Sequence, residues 1–220
     1  MSSARFKWAL SIGSLAALSA CGGGGSSTSS LSFPVNEALT AFYQSSAVYN
    51  LSATNGSTTY RLQVALTPGP QTTFIGTKVN STVLVDSIES NGSVIATGGK
   101  TVLYLGSPFR EWGGILASGV YEVDHDQQIL PAMVSTGASG LLDKQDYFAD
   151  STLTDVIATG TRNWTMAAAS ADTGLFCIDD NDDLGGGPET EEDCYVLDEK
   201  GNVMGLQITL VLNGTALTFK

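Results

Sequence analysis

Beyond residue 45, the chain is dominated by short runs in which apolar and polar residues alternate. In "TYRLQVAL", residues 59–66, every second side chain is a large apolar one. Successive side chains of a β-strand point to opposite faces, so this pattern predicts a half-buried strand. Further runs are rich in β-branched and aromatic residues: "STVLVDSI", "TVLYL", "GVYEV", "NWTMA" and "LQITLVL". The pattern therefore predicts a domain built mainly of β-strands.

The connections between these runs carry residues typical of tight turns. Asn-Gly pairs, which favour two-residue hairpins, occur at Asn55-Gly56, Asn91-Gly92 and Asn213-Gly214. Many short strands with such turns predict an all-β fold, mainly an antiparallel sandwich or barrel. The exception is "FPVNEALTAFYQ", Phe33–Gln44, whose apolar residues recur at helical spacing after a proline that suits a first turn. One short N-terminal helix is predicted there.

The chain divides into three parts by composition. Residues 1–20 have the layout of a secretory signal, because basic residues at Arg5 and Lys7 precede an apolar run too short to cross a bilayer as a helix. Residues 21–32 are a cysteine followed mainly by glycine and serine, which predicts a flexible linker. Residues 33–220 suit a single β-rich domain with a sizeable core.

The end of the signal, Leu18-Ser19-Ala20-Cys21, resembles the lipobox of bacterial lipoproteins. In that family the cysteine thiol is alkylated with diacylglycerol, the chain is cut just before it, and the new amino group is usually acylated, for example with palmitate. The resemblance implies that Cys21 carries a lipid anchor in the cell envelope. Gly22 stands where an aspartate would resemble an inner-membrane retention signal, which favours the outer membrane. The whole chain also resembles small Gly/Ser-tethered β-rich envelope lipoproteins, an architecture that implies no activity.

The chain is strongly acidic, with 22 acidic residues, 10 basic residues and a formal net charge of −12. Nucleic-acid binding is disfavoured, because phosphate contacts need a basic face and the sequence has no Lys/Arg cluster. A cationic partner or a divalent cation is compatible with this charge. The alternative is that the charge only keeps the domain soluble.

The segment "CIDDNDDLGGGPETEEDC", residues 177–194, is the most distinctive part of the domain. With Cys21 taken by lipid, Cys177 and Cys194 remain as an even pair in an oxidising compartment, which predicts a disulfide. Eight of the sixteen residues between these cysteines are acidic and none is basic.

Three oxygen-bearing residues of this segment, Asp179, Asn181 and Asp183, alternate as in a calcium loop, whereas the later positions depart from the EF-hand pattern. The sequence leaves two alternatives open, a weak Ca²⁺ site and a bare acidic surface loop without a cofactor.

No motif in the chain specifies a reaction, and the single histidine, His125, is predicted in an exposed turn. The first hypothesis is therefore a non-enzymatic envelope lipoprotein whose β domain is structural or binds another envelope component. An alternative is an inhibitor or scavenger of a cationic enzyme or peptide. "SGVY", Ser118–Tyr121, resembles one motif of the small lipoprotein inhibitors of lysozyme, although their second motif, Tyr-Thr-Lys-Gly, is absent. A second alternative is a glycan hydrolase with Glu111 and Glu122 as its paired carboxylates.

One short sequence occurs twice. "VIATG" is found at Val94–Gly98 and at Val156–Gly160, and a basic residue, Lys100 or Arg162, follows each copy. Duplication of a β unit produces such a repeat. Chance produces it too, because strands are built from a small set of residue types.

Overall fold

The computed structural model describes residues 30–182, 184, 189–212 and 214–220. The lipobox, Cys21 and most of the linker lie outside these residues. In the described part of the chain, no helix is both long and apolar enough to cross a membrane.

The described residues form one helix, α1 (Val35–Gln44), and fifteen strands. The strands of the first half are β1 (Ser32–Phe33), β2 (Ala47–Asn55), β3 (Thr58–Pro68), β4 (Thr72–Phe74), β5 (Thr77–Ser90), β6 (Ser93–Gly106), β7 (Phe109–Leu116) and β8 (Tyr121–His125). Those of the second half are β9 (Val134–Ser135), β10 (Ser139–Phe148), β11 (Val156–Ala168), β12 (Thr173–Asp182), β13 (Glu189–Asp198), β14 (Val203–Leu212) and β15 (Thr215–Phe219).

The main sheet is an antiparallel meander in the order β15-β14-β13-β12-β11-β10-β8-β7-β6-β5-β3-β2, with β4 paired to β5 and a separate β1–β9 pair. The two edges of this sheet approach each other. The backbone N–H of Ser52 on β2 donates to the carbonyl of Lys220 at 2.9 Å, and that of Lys220 donates back at 3.1 Å. The sheet is therefore nearly closed and barrel-like. The predicted all-β antiparallel fold is confirmed, with a barrel-like sheet rather than a sandwich.

The predicted hairpin turns join neighbouring strands. Asn55-Gly56 lies between β2 and β3, and Asn91-Gly92 lies between β5 and β6 with positive φ at both residues, 48° and 82°. Such φ values are those of the tight turns whose twist matches the flanking strands. Asn213 lies outside the described residues, between the end of β14 and the start of β15.

The predicted helix is confirmed from Val35 to Gln44, but its first two residues are not helical. Phe33 is fully buried and pairs in β1 with Val134, and Pro34 has φ −81° and ψ 73°, outside the helical region. The burial of Phe33 in the core thus outweighs the local preference for an earlier helix start. The helix buries one face, formed by Val35, Ala38, Leu39, Phe42 and Tyr43.

Helix α1 lies across one end of the barrel, which we call the helix end. Thr40 Oγ1 donates to the carbonyl of Gly106 in the β6–β7 turn at 2.8 Å, and Asn36 Nδ2 donates to the carbonyl of Leu130 at 2.9 Å. Apolar side chains of the helix and of most strands form one buried core. Because alternate turns of an antiparallel meander share an end, the β5–β6 and β12–β13 turns lie at the opposite end. The interior there is polar, and it contains the candidate site.

Candidate functional site

A cavity of about 270 Å³ lies inside the polar half of the barrel. Tyr43 from the last turn of α1 and Tyr195 from β13 are among its lining residues, and their hydroxyls lie 3.3 Å apart. The charged residues among its described lining are acidic in large excess: Asp86, Glu111, Glu122, Asp180, Asp182, Glu191 and Asp193 against Lys100 and Arg162. Most of these charges fall into two groups with different partners.

The first group is a buried ion cluster, formed by Lys100, Glu111, Glu122, Asp124, Asp143 and Arg162. At its centre the Arg162 guanidinium, 4% exposed, holds Asp143 through Nε at 2.8 Å and Nη2 at 2.6 Å. Nη1 donates to Glu111 at 2.6 Å, and Nη2 donates also to Asp124 at 2.9 Å. The planar fork of arginine suits this arrangement, because its donors point to several carboxylates at fixed angles.

Lys100 joins the other side of the cluster. Its Nζ lies 2.6 Å from Glu111 Oε1 and 2.8 Å from Glu122 Oε2. Gln145, which is fully buried, donates from Nε2 to Glu122 Oε1 at 2.9 Å. Glu111 and Glu122 are therefore both held by cations, and they share Lys100 between them.

The pKa values of the cluster follow from burial and from these contacts. For Lys100, burial opposes the charged form, but Glu111 and Glu122 outweigh it and raise the pKa. Burial likewise favours the neutral form of Glu122, but Lys100 and Arg162 lower its pKa to about 2. For Asp124, burial together with the neighbouring carboxylates outweighs Arg162, so its pKa is raised. The cluster thus keeps Glu122 ionised while favouring the protonated form of Asp124.

Two glycines make room for the cluster. A Cβ at Gly114 would lie 2.3 Å from Lys100 Cε, and a Cβ at Gly160 would lie 2.5 Å from Gln145 Oε1. Both distances are shorter than real carbon contacts, so these side chains occupy space that only glycine leaves free. The strand sequence is in this way adapted to the buried polar groups.

The second group is the acidic wall, formed by Asp180 on β12 with Glu191 and Asp193 on β13. Asp180 and Glu191 are direct cross-strand partners, and Asp193 lies two residues further along the same face. No Lys, Arg or His nitrogen of the described residues lies within 4.0 Å of these three carboxylates. Like charges on opposite strand positions repel each other, so the acidic wall faces the cavity without a counterion.

Two oxygens of the acidic wall are buried without a hydrogen bond. They are Oδ1 of Asp180 and Oδ1 of Asp193, and no donor among the described residues reaches either of them. Burial, only partly offset by Arg162 and Lys100, raises the pKa of Asp180 to about 6. Burial together with the charge of Asp180 raises the pKa of Asp193 to about 7. The pKa values of both carboxyls therefore lie much nearer to neutral pH than the ordinary value of 3.8.

The predicted disulfide is present, with Cys177 and Cys194 facing each other across β12 and β13. The expectation of an acidic loop between them is wrong for most of the segment. Strand β12 continues to Asp182 and β13 begins at Glu189, so the cysteines lie within a hairpin rather than at the ends of a loop. Strand alternation then divides the acidic residues between two faces, and Asp180 and Asp193 point into the barrel, opposite in direction to the disulfide.

The residues of the predicted Ca²⁺ site do not form a loop where the structure describes them. Asp179 and Asn181 lie on β12, on the face opposite to Asp180, and Asp183 lies outside the described residues. Alternate residues of a strand are about 6.6 Å apart along an extended chain, whereas the ligands of an EF-hand loop curl around one point. Asp179 pairs across the hairpin with Glu192.

Other candidates from the sequence lie near the rim of the barrel or in its interior. His125 ends β8, with Nε2 3.5 Å from Asp146, and its side chain is 42% exposed. Ser118–Tyr121 spans the β7–β8 turn at the end opposite to the helix. Glu111 and Glu122 do meet inside the barrel, as part of the ion cluster rather than as a free pair.

The ion cluster is only weakly indicated in the sequence. Lys100 and Arg162 stand out there only as basic residues that follow the two "VIATG" copies. In the structure each lies six residues after the start of its copy, on β6 and β11, and both side chains enter the same interior cluster. A single basic residue inside an otherwise apolar and small strand was the signal for a buried charge.

No protein-family model, curated protein or solved structure matches this chain significantly. The functional interpretation therefore depends on the geometry of the cavity itself.

Proposed function

We propose that this protein is a lipid-anchored protein of the cell envelope whose barrel-like domain is a non-enzymatic binding module for a cationic molecule. The observation that carries this proposal is the acidic wall. Asp180 and Asp193 each place a buried, unpartnered carboxylate oxygen beside the cavity, and Lys100 and Arg162, the two cations of the lining, contact other carboxylates. A bound cation would supply the missing counterion.

The anchor is supported by the sequence at the start of the chain. A basic start, a short apolar run, the lipobox ending at Cys21 and a Gly/Ser linker follow one another in the order that lipoproteins use. One acyl chain gives only marginal membrane binding, whereas two or three hold a domain durably. We therefore propose attachment through Cys21, at the outer membrane, with the linker separating the domain from the lipid surface.

The geometry does not support Glu111 and Glu122 as the catalytic pair of a glycan hydrolase. A hydrolase of the paired-carboxylate type needs one carboxyl with a raised pKa as general acid and a second, free carboxylate. The pKa of Glu122 is instead lowered, to about 2, because Lys100 and Arg162 outweigh its burial. Glu111 has one oxygen on Lys100 and the other on Arg162. Neither group is available to protonate a leaving group or to attack.

Cation binding is tested by calorimetric titration of the purified protein with a panel of cations: inorganic divalent ions, diamines, oligolysine and hen lysozyme as a basic protein. Binding should be lost in a variant that carries Asp180→Asn and Asp193→Asn. The matched control carries Asp179→Asn and Glu192→Gln, which removes two charges from the opposite face of the same hairpin and should bind as the wild type does. Failure of every cation to bind, or equal binding by the two variants, would contradict the proposed function.

A further inference from the structure

We propose that the ligand of this cavity is a small organic amine whose ammonium group is held between Asp180 and Asp193, rather than a divalent metal ion. This inference rests on the proposed function and makes it specific.

The unsatisfied groups in this part of the barrel are acceptors. Oδ1 of Asp180 and Oδ1 of Asp193 are buried beside the cavity, and no donor among the described residues reaches them. Leaving a buried acceptor without a donor is costly, so the site favours a ligand that brings several N–H groups. An ammonium group brings three donors and a positive charge.

The spacing of the carboxylates disfavours a bare metal ion. Ca²⁺ binds oxygens at 2.3–2.6 Å, so its ligand atoms lie within about 5 Å of one another. Among the described residues, the one all-carboxylate group with oxygens mutually within 4.8 Å is Glu111, Glu122 and Asp124. Lys100 and Arg162 already contact these three carboxylates. The three carboxylates of the acidic wall do not form such a group, so they do not supply the set of close oxygens that a metal ion needs.

The rest of the cavity suits an alkyl chain. Its volume, about 270 Å³, admits a molecule of small-metabolite size. Apolar side chains and aromatic rings lie beside the acidic wall: Tyr43, Leu84, Val102, Ile178 and Tyr195. An aliphatic amine can therefore place its methylene groups against these side chains while its nitrogen meets Asp180 and Asp193. Burial of each methylene contributes to affinity in proportion to the apolar area removed from water.

Amine binding should be coupled to proton release. In the empty cavity burial favours the protonated forms of Asp180 and Asp193, and an ammonium group beside them favours their ionised forms. The other charged groups that face this site are Asp86 on β5, Lys100 on β6, Glu111 on β7, Glu122 on β8, Arg162 on β11, Asp182 on β12 and Glu191 on β13. Lys100 and Arg162 are held charged by the ion cluster, and the pKa of Glu122 is far below neutral. The protons released should therefore come mainly from the acidic wall, where burial raises the pKa of Asp180, of Asp193 and of Glu191.

The test is calorimetric titration with 1,4-diaminobutane and with CaCl₂, at pH 6 and pH 8, in two buffers that differ in ionisation enthalpy. We expect one diamine per protein, proton release at pH 6, and affinity about tenfold higher at pH 8, because a carboxyl with pKa about 7 is about one-tenth ionised at pH 6. The Asp180→Asn, Asp193→Asn variant should lose at least about tenfold in affinity, as expected for one charged hydrogen bond. The Asp179→Asn, Glu192→Gln control should not.

The outcomes separate this inference from the proposed function. Saturable Ca²⁺ binding that requires Asp180 and Asp193, without diamine binding, would overturn the inference and leave cation binding intact. Absence of binding by any cation would overturn both. Diamine binding that is equal in the two double variants would place the amine elsewhere and overturn the inference. Urea unfolding of each variant establishes that it is folded, and removal of unpaired buried charge should not destabilise the protein.

Discussion

Substitution of Asp193 by Asn should change how the stability of the empty protein depends on pH. In the folded protein the pKa of Asp193 is raised from 3.8 to about 7, because the carboxyl is buried beside Asp180. The folded state thus binds this proton more tightly than the unfolded state does. Stability from this group is fully present at low pH and is lost as the pH rises from about 4 through about 7.

The size of the effect follows from the same pKa. Between pH 5 and pH 8 the unfolded carboxyl is already ionised, while the folded one loses its proton. Two pKa units separate pH 5 from pH 7, and each unit corresponds to 1.36 kcal/mol, so the loss is at most about 3 kcal/mol. Because Asp193 and Asp180 influence each other, their effects are not additive. Asn at position 193 cannot ionise and should remove most of this loss.

The assay is urea denaturation at pH 5 and pH 8 for the wild type, for Asp193→Asn and for Asp155→Asn, an exposed control. Wild type and control should both be less stable at pH 8 by a few kcal/mol, whereas Asp193→Asn should lose less, because of this pair only Asp180, with a pKa of about 6, still titrates over the range. Wild-type stability that is constant or increases over this range, or an equal slope in Asp193→Asn, would refute the assignment of a buried, uncompensated carboxyl.

Three further results are expected from other parts of the molecule. Arg162→Met leaves Glu111, Asp124 and Asp143 without their shared cation, so urea unfolding should show a loss of about 3–5 kcal/mol; a loss below about 1 kcal/mol would argue against the buried cluster. Joint replacement of Cys177 and Cys194 by serine removes a cross-link with a sequence separation of 17 and should cost about 3 kcal/mol by the same measurement; free thiols at both positions in protein isolated from the envelope would argue against the bridge. Cys21→Ser should leave the precursor uncut and unlipidated, because no other residue can provide the thioether, and normal processing seen by mass spectrometry would contradict the proposed anchor.

Local signals were sufficient to predict the strands and several of their turns. Period-two alternation in residues 59–66 and the Asn-Gly pairs are properties of a few neighbouring residues, and the structure places strands and turns there. The start of the helix was not predictable in the same way. Phe33 leaves the helix because it pairs with Val134, about one hundred residues further along the chain, and local periodicity does not report such a contact.

The site depends on which face of each strand points inward, and that was the hardest property to predict. The many acidic residues after Cys177 suggest a surface loop when only their number is considered. In the observed hairpin successive side chains point to opposite faces of the sheet. Asp180 and Asp193 therefore point inward, and Asp179 and Glu192 point outward. The ion cluster likewise joins residues from β6, β7, β8, β10 and β11, five strands that are neighbours in the sheet but lie up to about 60 residues apart in the sequence.

NMR directly tests the central claim, which is that the Asp193 carboxyl has no counterion in the empty protein and binds a cation. The side-chain carboxyl carbons of protein labelled with ¹³C-aspartate would be followed over pH 4–9, with and without saturating 1,4-diaminobutane, and Asp193 assigned from the Asp193→Asn variant. We expect Asp193 to titrate near pH 7 in the empty protein and at least about one unit lower with the diamine bound, since an adjacent positive charge favours the ionised form. Titration of Asp193 near its ordinary value of 3.8, or a titration curve that the diamine leaves unchanged, would contradict the claim.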